Sequence, residues 1–213
     1  MRNVYLTSHS GLIYLRRMFR AIEGVKPVNQ HDPLIKQKPD FPAIVSVKQL
    51  VQVLKETPTA YFSDLAEHIN LPASDVTPYA TWSRSHHTRV CIERNERFEL
   101  MLICWEPGHK TDIHDHNSEE CWMYFVEGKF EEAIYDRELE TLEPRQINKT
   151  ATGDIAYMVD FMGIHSLENI AGCRGMSLHL YAKPITSCNV LNCVSKTFVK
   201  KSLHYDAVAE NII

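Results

Sequence analysis

Hydrophobic residues in the first third of the chain recur at helical spacing. In residues 45–56 the apolar side chains at 47, 50, 51 and 54 fall on one face of a helix. Residues 59–69 predict a second helix, and Pro72 with Ser74 can open a short third one. Prolines among polar residues between 24 and 44 predict an extended connector ahead of these helices.

From about residue 87 the pattern changes to short apolar or alternating runs with glycines between them. The runs cover residues 98–105, 121–126, 130–135, 155–159 and 176–181. Several short strands separated by turn residues are typical of an antiparallel sandwich or barrel. The sequence therefore predicts a mainly β fold with two or three helices on its N-terminal side.

Composition and charge narrow the range of partners and compartments. The 213 residues carry a net charge of -4 and a pI near 6.3, which gives no reason to expect nucleic acid or a membrane as a partner. Six cysteines without a CxxC pair predict reduced thiols and a cytoplasmic protein. A mitochondrial presequence is the alternative, because the first 22 residues contain arginines and no acid. Without a heptad repeat, a monomer is expected.

The strongest chemical signal is the pair of histidines in His114-Asp115-His116. On a strand, residues two apart share a face, so both imidazoles could reach one metal ion. A third ligand is needed, and His165, ahead of Asn169, is a candidate. Glu120 and Cys121 stay open as further ligands, since a carboxylate or a thiolate can bind a metal.

Three longer stretches extend this signal into a family resemblance. They are CWEPGHKTDIHDH at 104–116, GIHSLEN at 163–169 and SLHLY at 177–181. Together they resemble the cysteine dioxygenase family of cupins, and the resemblance covers roughly residues 46–205. It implies a small cupin-type, jelly-roll-like β-barrel in residues 45–213, after an N-terminal extension, residues 1–44, of unknown function.

The resemblance also implies the metal and its ligands. His114, His116 and His165 would hold one Fe(II) per chain. Arg89 would bind the substrate carboxylate, and His87 stands where the family often has a tyrosine next to the substrate.

Four further residues take roles from the same resemblance. Cys121 and Tyr181 would be joined by a thioether crosslink, and His179 would hydrogen-bond the Tyr181 hydroxyl. Cys188 would lie near the entrance of the active site. After Tyr181 the chain departs from the family, because residues 182–184 read Ala-Lys-Pro where some members have Ser-Pro-Pro with a cis peptide bond.

The implied reaction is the oxidation of L-cysteine by O2 to cysteine sulfinate, a step of cysteine catabolism and taurine biosynthesis. A dioxygenase acting on 3-mercaptopropionate or another small thiol is the nearest alternative. A non-catalytic metal-binding cupin and a zinc hydrolase built on three histidines are alternatives from other classes. The hydrolase would need a general base, for which the sequence offers Glu120 or Tyr181.

Overall fold

A computed structural model of the chain describes residues 39–138 and 142–209. The possible presequence and most of the predicted connector lie outside these residues. Within the described part, Phe41 and Ile44 are buried, and Ile44 forms a β-bridge with Ile69. No helix of the described residues is long and apolar enough to cross a membrane.

Three short α-helices come first in the described chain. They are α1 (Val47–Glu56), α2 (Phe62–Ala66) and α3 (Ala73–Val76), with 3-10 turns at Thr59–Tyr61 and Thr77–Tyr79. Helix α1 begins after Ser46, whose hydroxyl accepts a hydrogen bond from the Gln49 N–H at 3.1 Å. The second helix is shorter than predicted. It ends at Ala66 because the next residues turn to bond both backbone groups of Ile44.

Within residues 39–138 and 142–209, eleven strands follow the helices, and most of them are six or seven residues long. They are β1 (Thr88–Arg94), β2 (Glu99–Trp105), β3 (Cys121–Glu127), β4 (Lys129–Tyr135), β5 (Gln146–Ala151), β6 (Ile155–Met158), β7 (Ile164–Asn169), β8 (Gly175–Tyr181), β9 (Ser187–Asn192), β10 (Thr197–Ser202) and β11 (Ala207–Val208). A 3-10 turn at Asp160–Met162 lies between β6 and β7.

The strands form a jelly-roll-like sandwich. One sheet has the order β11-β1-β2-β8-β3-β6, a second has the order β5-β4-β7, and β9 pairs with β10. The prediction of a mainly β fold with helices on its N-terminal side is confirmed. The runs predicted as strands correspond to β2, β3, β4, β6 and β8 within one or two residues.

Side chains alternate between the two faces of each strand, and the two faces contribute to two different hydrophobic cores. On β2, Leu100 and Leu102 pack with the helices, whereas Met101 and Ile103 face the interior of the sandwich. Because side chains alternate between faces, β8 likewise directs its residues 177, 179 and 181 inward. The interior core thus meets a row of polar side chains at one end, where the candidate site lies.

Candidate metal centre and active site

Three histidines from two segments meet at one end of the sandwich. His114 and His116 lie between β2 and β3, and His165 lies on β7. Their ligand nitrogens all fall within 4.8 Å of one another, and the Nε2 atoms of His116 and His165 are 3.0 Å apart. The His114–His116 segment is not the regular strand that we predicted. Instead His114 forms isolated bridges to His165 and Val190, which bring the rings together.

Hydrogen bonds orient two of these rings toward a common point. His114 Nδ1 donates to the Asp112 carbonyl oxygen at 2.9 Å, and His165 Nδ1 donates to Glu132 Oε1 at 2.8 Å. A neutral imidazole that donates through Nδ1 has its lone pair on Nε2, so both rings offer Nε2 to a ligand. A buried carboxylate behind a histidine is the usual outer partner of a metal ligand.

The electrostatics and spacing of the cluster suit a metal ion. Burial lowers the pKa of His114 to about 3 and that of His116 well below its usual range, so both rings are neutral at pH 7. Two nitrogens bound at about 2.1 Å to a metal at right angles lie about 3 Å apart, which matches the pair from His116 and His165. His116 Nδ1 is buried and has no hydrogen-bond partner within the described residues.

A charged network holds the loop that carries His116. Asp160 accepts hydrogen bonds from the backbone N–H groups of His116 and Ser118, both at 2.7 Å. Arg137 contacts Asp115 at 2.9 Å and Asp160 at 3.2 Å. Asp115 also accepts two hydrogen bonds from Asn189 at 2.8 Å, which ties the loop to β9.

The histidine cluster forms part of the wall of a cavity of about 380 Å³. All the predicted site residues except Cys121 line it, namely His87, Arg89, His114, His116, His165, His179, Tyr181 and Cys188. Residues 201–206, which follow β9, complete one side. The structure therefore brings the metal cluster, the arginine and the tyrosine to one cavity.

Arg89 projects into this cavity from β1 and is held along its length. Its Nε donates to the Met101 sulfur at 3.1 Å, and its Nη1 donates to the His204 carbonyl oxygen at 3.2 Å. The guanidinium lies 5.9 Å from the centre of the Tyr205 ring. Within the described residues Nη2 is left without a hydrogen-bond partner, so part of the guanidinium is available to a ligand.

Tyr181 and Cys121 face each other across β8 and β3. The two residues are direct partners in the antiparallel register. Cys121 is fully buried behind Tyr181, which explains why it does not line the cavity. Burial raises the pKa of Tyr181 well above its usual range and also raises that of the Cys121 thiol, so both groups keep their protons at pH 7.

The position of His179 differs from the expectation. Its Nε2 hydrogen-bonds the Ser177 hydroxyl at 2.9 Å, and its Nδ1 lies 3.9 Å from the Cys121 sulfur. The predicted hydrogen bond to the Tyr181 hydroxyl is thus replaced by one to Ser177. Both ring nitrogens of His179 already have partners, since Nε2 meets Ser177 and Nδ1 contacts the Cys121 sulfur.

Two other predicted residues lie on the cavity wall. The His87 ring stacks on Trp105, with 4.9 Å between ring centres. Burial, with the nearby Arg89 charge, lowers the pKa of His87 to about 4, so its ring is neutral at pH 7. Burial, with the Asp115 carboxylate, raises the pKa of Cys188 to about 11, so this thiol stays protonated.

Glu120 takes no part in the site. Its carboxylate accepts a hydrogen bond from the Tyr157 hydroxyl at 2.5 Å. Neither the histidine cluster nor the cavity wall, among the described residues, includes it. Glu120 therefore cannot be the general base of a zinc hydrolase at this site.

Sequence reasoning missed the residues that support the site. Glu132 carried a detectable signal, because it falls between Phe130 and Ile134 on the inward face of a predicted strand, where a carboxylate needs a partner. Ser177 also carried a signal, because it lies two residues before His179 and so falls on the same face of the predicted strand. Tyr205 and Asp206 gave no signal, since their approach to the cavity depends on how the chain returns after β10.

The comparisons with known proteins agree with this geometry. A family model described as cysteine dioxygenase type I matches residues 35–193. The chain belongs to this family. Cysteine dioxygenase type 1 of Danio rerio is 30% identical over 151 residues, which are 68% of this chain and 72% of the relative. The Homo sapiens protein of the same name is 30% identical over 135 residues, 58% of this chain and 68% of the relative.

Among solved structures, a double-stranded β-helix protein from Klebsiella pneumoniae aligns with 60% of this chain and 95% of its own. The identity is 14% and the TM-score is 0.45.

Family membership makes the chain an oxidoreductase of the dioxygenase type, and its three-histidine cluster can hold a metal ion. The family match ends at residue 193, before β10 and β11. The part of the cavity wall contributed by residues 201–206 therefore lies beyond the matched region. The loop after Tyr181 also differs from members with a cis bond, since the described residues contain no cis peptide bond and Lys183 has a φ of 130°.

Proposed function

We propose that this protein oxidises L-cysteine to cysteine sulfinate with O2, using one Fe(II) held by His114, His116 and His165. The observation that supports this most directly is a three-histidine cluster in the same cavity as a partly free arginine. The cluster offers a metal site and the arginine offers a carboxylate site, as an amino acid with a thiol requires.

The donor set suits a ferrous ion that binds a thiolate. Imidazole is a good ligand for iron, and three neutral rings add no negative charge, so the ion would keep its full attraction for a substrate thiolate. An iron ion bound here would supply the redox chemistry with dioxygen and would lower the pKa of the coordinated thiol.

Arg89 would fix the other end of the substrate. The free edge of its guanidinium can pair with a carboxylate through charge-assisted hydrogen bonds. The contacts to Met101 and His204 limit the movement of the side chain before substrate arrives, which lowers the entropy lost on binding.

Tyr181 would donate a hydrogen bond toward the substrate. It keeps its proton at neutral pH, and its ring lies 5.6 Å from that of His116. A thioether between Cys121 and Tyr181 would lock the ring in this position, and the direct cross-strand pairing of the two residues supports it. His179 would restrain the pair through its contact with Cys121.

The two remaining wall residues would shape the cavity around the substrate. His87 would contribute a neutral ring in place of the family's tyrosine, and Cys188 a protonated thiol near the entrance. We also propose a cytoplasmic protein, for which the six free cysteines are the supporting observation. We propose a monomer because the sequence has no heptad repeat. Residues 45–213 would be the catalytic domain, and residues 1–44 an extension of unknown role.

The test is oxygen uptake by the iron-loaded protein with three thiols: L-cysteine, 3-mercaptopropionate and cysteamine, which lacks a carboxylate. L-Cysteine should be preferred and cysteine sulfinate should be the product. In the Arg89→Ala variant, kcat/KM for L-cysteine should fall roughly 100-fold, or about 3 kcal/mol, because a charge-assisted pair is lost. Activity on cysteamine should change little.

Arg174→Ala is a matched control, since Arg174 is exposed and pairs with Glu106 away from the cavity. A preference for 3-mercaptopropionate would assign the chain to that activity instead. Equal losses on L-cysteine and cysteamine in the Arg89→Ala variant would contradict the role given to Arg89.

A further inference from the structure

We infer that residues 204–209, here called the C-terminal strap, position Arg89 and so set the preference for thiols that carry a carboxylate. The inference rests on the proposed function and goes beyond it, because the strap lies outside the matched part of the family, which ends at residue 193. Three consecutive strap residues contact Arg89, and each uses a different group.

Asp206 hydrogen-bonds both backbone groups of Arg89. Its carboxylate accepts a hydrogen bond from the Arg89 N–H at 2.8 Å, and its own N–H donates to the Arg89 carbonyl oxygen at 2.8 Å. The other carboxylate oxygen lies 2.9 Å from His86 Nε2. Strand β11 then continues the pairing with β1, with Ala207 opposite Val90. The strap is thus joined to β1 at the residue that would bind the substrate.

His204 and Tyr205 hold the Arg89 side chain. The His204 carbonyl oxygen accepts from Nη1, and the Tyr205 ring lies beside the guanidinium. An arginine has many rotamers, and each fixed contact reduces the number that compete with the binding conformation. With the bond from Nε to Met101, these contacts leave Nη2 without a hydrogen-bond partner among the described residues, and it can meet a ligand in the cavity.

A buried carboxylate on β2 anchors the strap. Glu99 is fully buried, and one of its oxygens accepts a hydrogen bond from the Tyr205 hydroxyl. The other oxygen accepts from the Ile185 N–H at 3.0 Å. Arg94 donates to the Tyr205 hydroxyl at 2.7 Å. Buried carboxylates are costly unless they are hydrogen-bonded, so this arrangement strongly favours one position of Tyr205.

Glu99 and Tyr205 are therefore positioning residues that act through Arg89. If the Tyr205 hydroxyl is removed, the ring loses its anchor and the guanidinium loses a fixed neighbour. The substrate carboxylate should then bind more weakly, while the metal cluster and the thiol chemistry should be unaffected. Loss of the hydroxyl should therefore raise KM for thiols that carry a carboxylate and leave kcat unchanged.

The experiment measures steady-state oxygen uptake of the iron-loaded full chain with L-cysteine and cysteamine. Tyr205→Phe should raise KM for L-cysteine about 10-fold, with kcat for L-cysteine and both constants for cysteamine within about twofold of the unmodified protein. In an Arg89→Ala background, Tyr205→Phe should cause no further loss, because residues that act through one group are not additive.

Val199→Ala is the control, since Val199 is an exposed residue of β10 that is not among the residues lining the cavity. Equal losses on both thiols, an unchanged KM for L-cysteine, or additive losses in the double variant would overturn the inference. If Arg89→Ala alters the choice between the two thiols and Tyr205→Phe does not, only the inference fails. If the unmodified protein oxidises neither thiol, the proposed function fails and the inference with it.

Discussion

Glu132 shows how one buried side chain governs the metal site. Its Oε1 accepts the Nδ1 proton of His165, and its Oε2 accepts from Asn148 at 3.0 Å. Both Glu132 and His165 are 2% exposed, so this pair is shielded from water. Such a carboxylate fixes the ring orientation and increases the basicity of the nitrogen that binds the metal.

Replacing Glu132 by Gln should weaken metal binding by about 10–100-fold, the usual cost of losing an outer partner of a ligand. Competition with a chelator measures this affinity directly. Glu131→Gln is the matched control, because Glu131 is the adjacent residue on the other face of β4 and its carboxylate is 3.8 Å from Lys149. Unchanged affinity in Glu132→Gln would contradict the orienting role.

His87 gives the site a defined response to acid. The pKa of this histidine is about 4 in the folded protein, mainly through burial, and about 6.5 when unfolded. The unfolded state therefore takes up the proton first as the pH falls. His87 should lower the free energy of unfolding as the pH drops from about 6.5 to 4, by at most about 1.4 kcal/mol per pH unit.

The His87→Gln variant isolates this contribution. Urea unfolding of the metal-free protein at pH 7 and at pH 4.5 should show a smaller loss of stability in the variant than in the unmodified chain. His114, His116 and His179 also have lowered pKa values, so acid should still destabilise the variant. A loss of the same size in both proteins would show that His87 is not a source of the acid response.

At the scale of single elements, alternation made the inner strands predictable. Along β2, even-numbered residues pack on the helices and odd-numbered residues face the interior, and β8 follows the same rule. This period fixes the direction of Tyr181 and His179 once the strands are located. Helix α1 was equally clear, because the apolar positions predicted to share one face, 47, 50, 51 and 54, are the four buried ones.

Other elements depend on contacts that sequence periodicity does not contain. All six residues of β10 are exposed, so no buried apolar face marks this strand in the sequence. It is held in place by its pairing with β9. The His114–His116 segment carries a strand-like spacing, yet its rings converge through isolated bridges to β7 and β9. The strap beside Arg89 is likewise a consequence of long-range pairing, since β11 joins β1 in parallel.

At the scale of the whole molecule, the two faces of one sheet have different roles. The helices cover the outer face with an apolar core, which stabilises the sheet without touching the site. The inner face supplies Tyr181 and Arg89, while the loops and β7 at one end supply the histidines. The predicted ligands and substrate residues therefore meet in one cavity although they are up to 101 positions apart, from His87 to Cys188.

The arrangement also explains why the residues of the candidate site were easier to predict than the residues that position them. Motif residues such as His165 and Arg89 stand at positions that the family resemblance fixes. Their partners Glu132, Glu99 and Asp206 are common surface residue types, and only the folded structure shows that two of them are buried or that one binds a backbone.

The most direct test of the account is the mass of the product formed by the iron-loaded protein from L-cysteine under isotopically labelled O2. The account predicts cysteine sulfinate that carries two labelled oxygen atoms, formed with one O2 consumed per cysteine, and no product in the His165→Ala variant. A product with one labelled oxygen or none, or no product from L-cysteine despite bound iron, would contradict it.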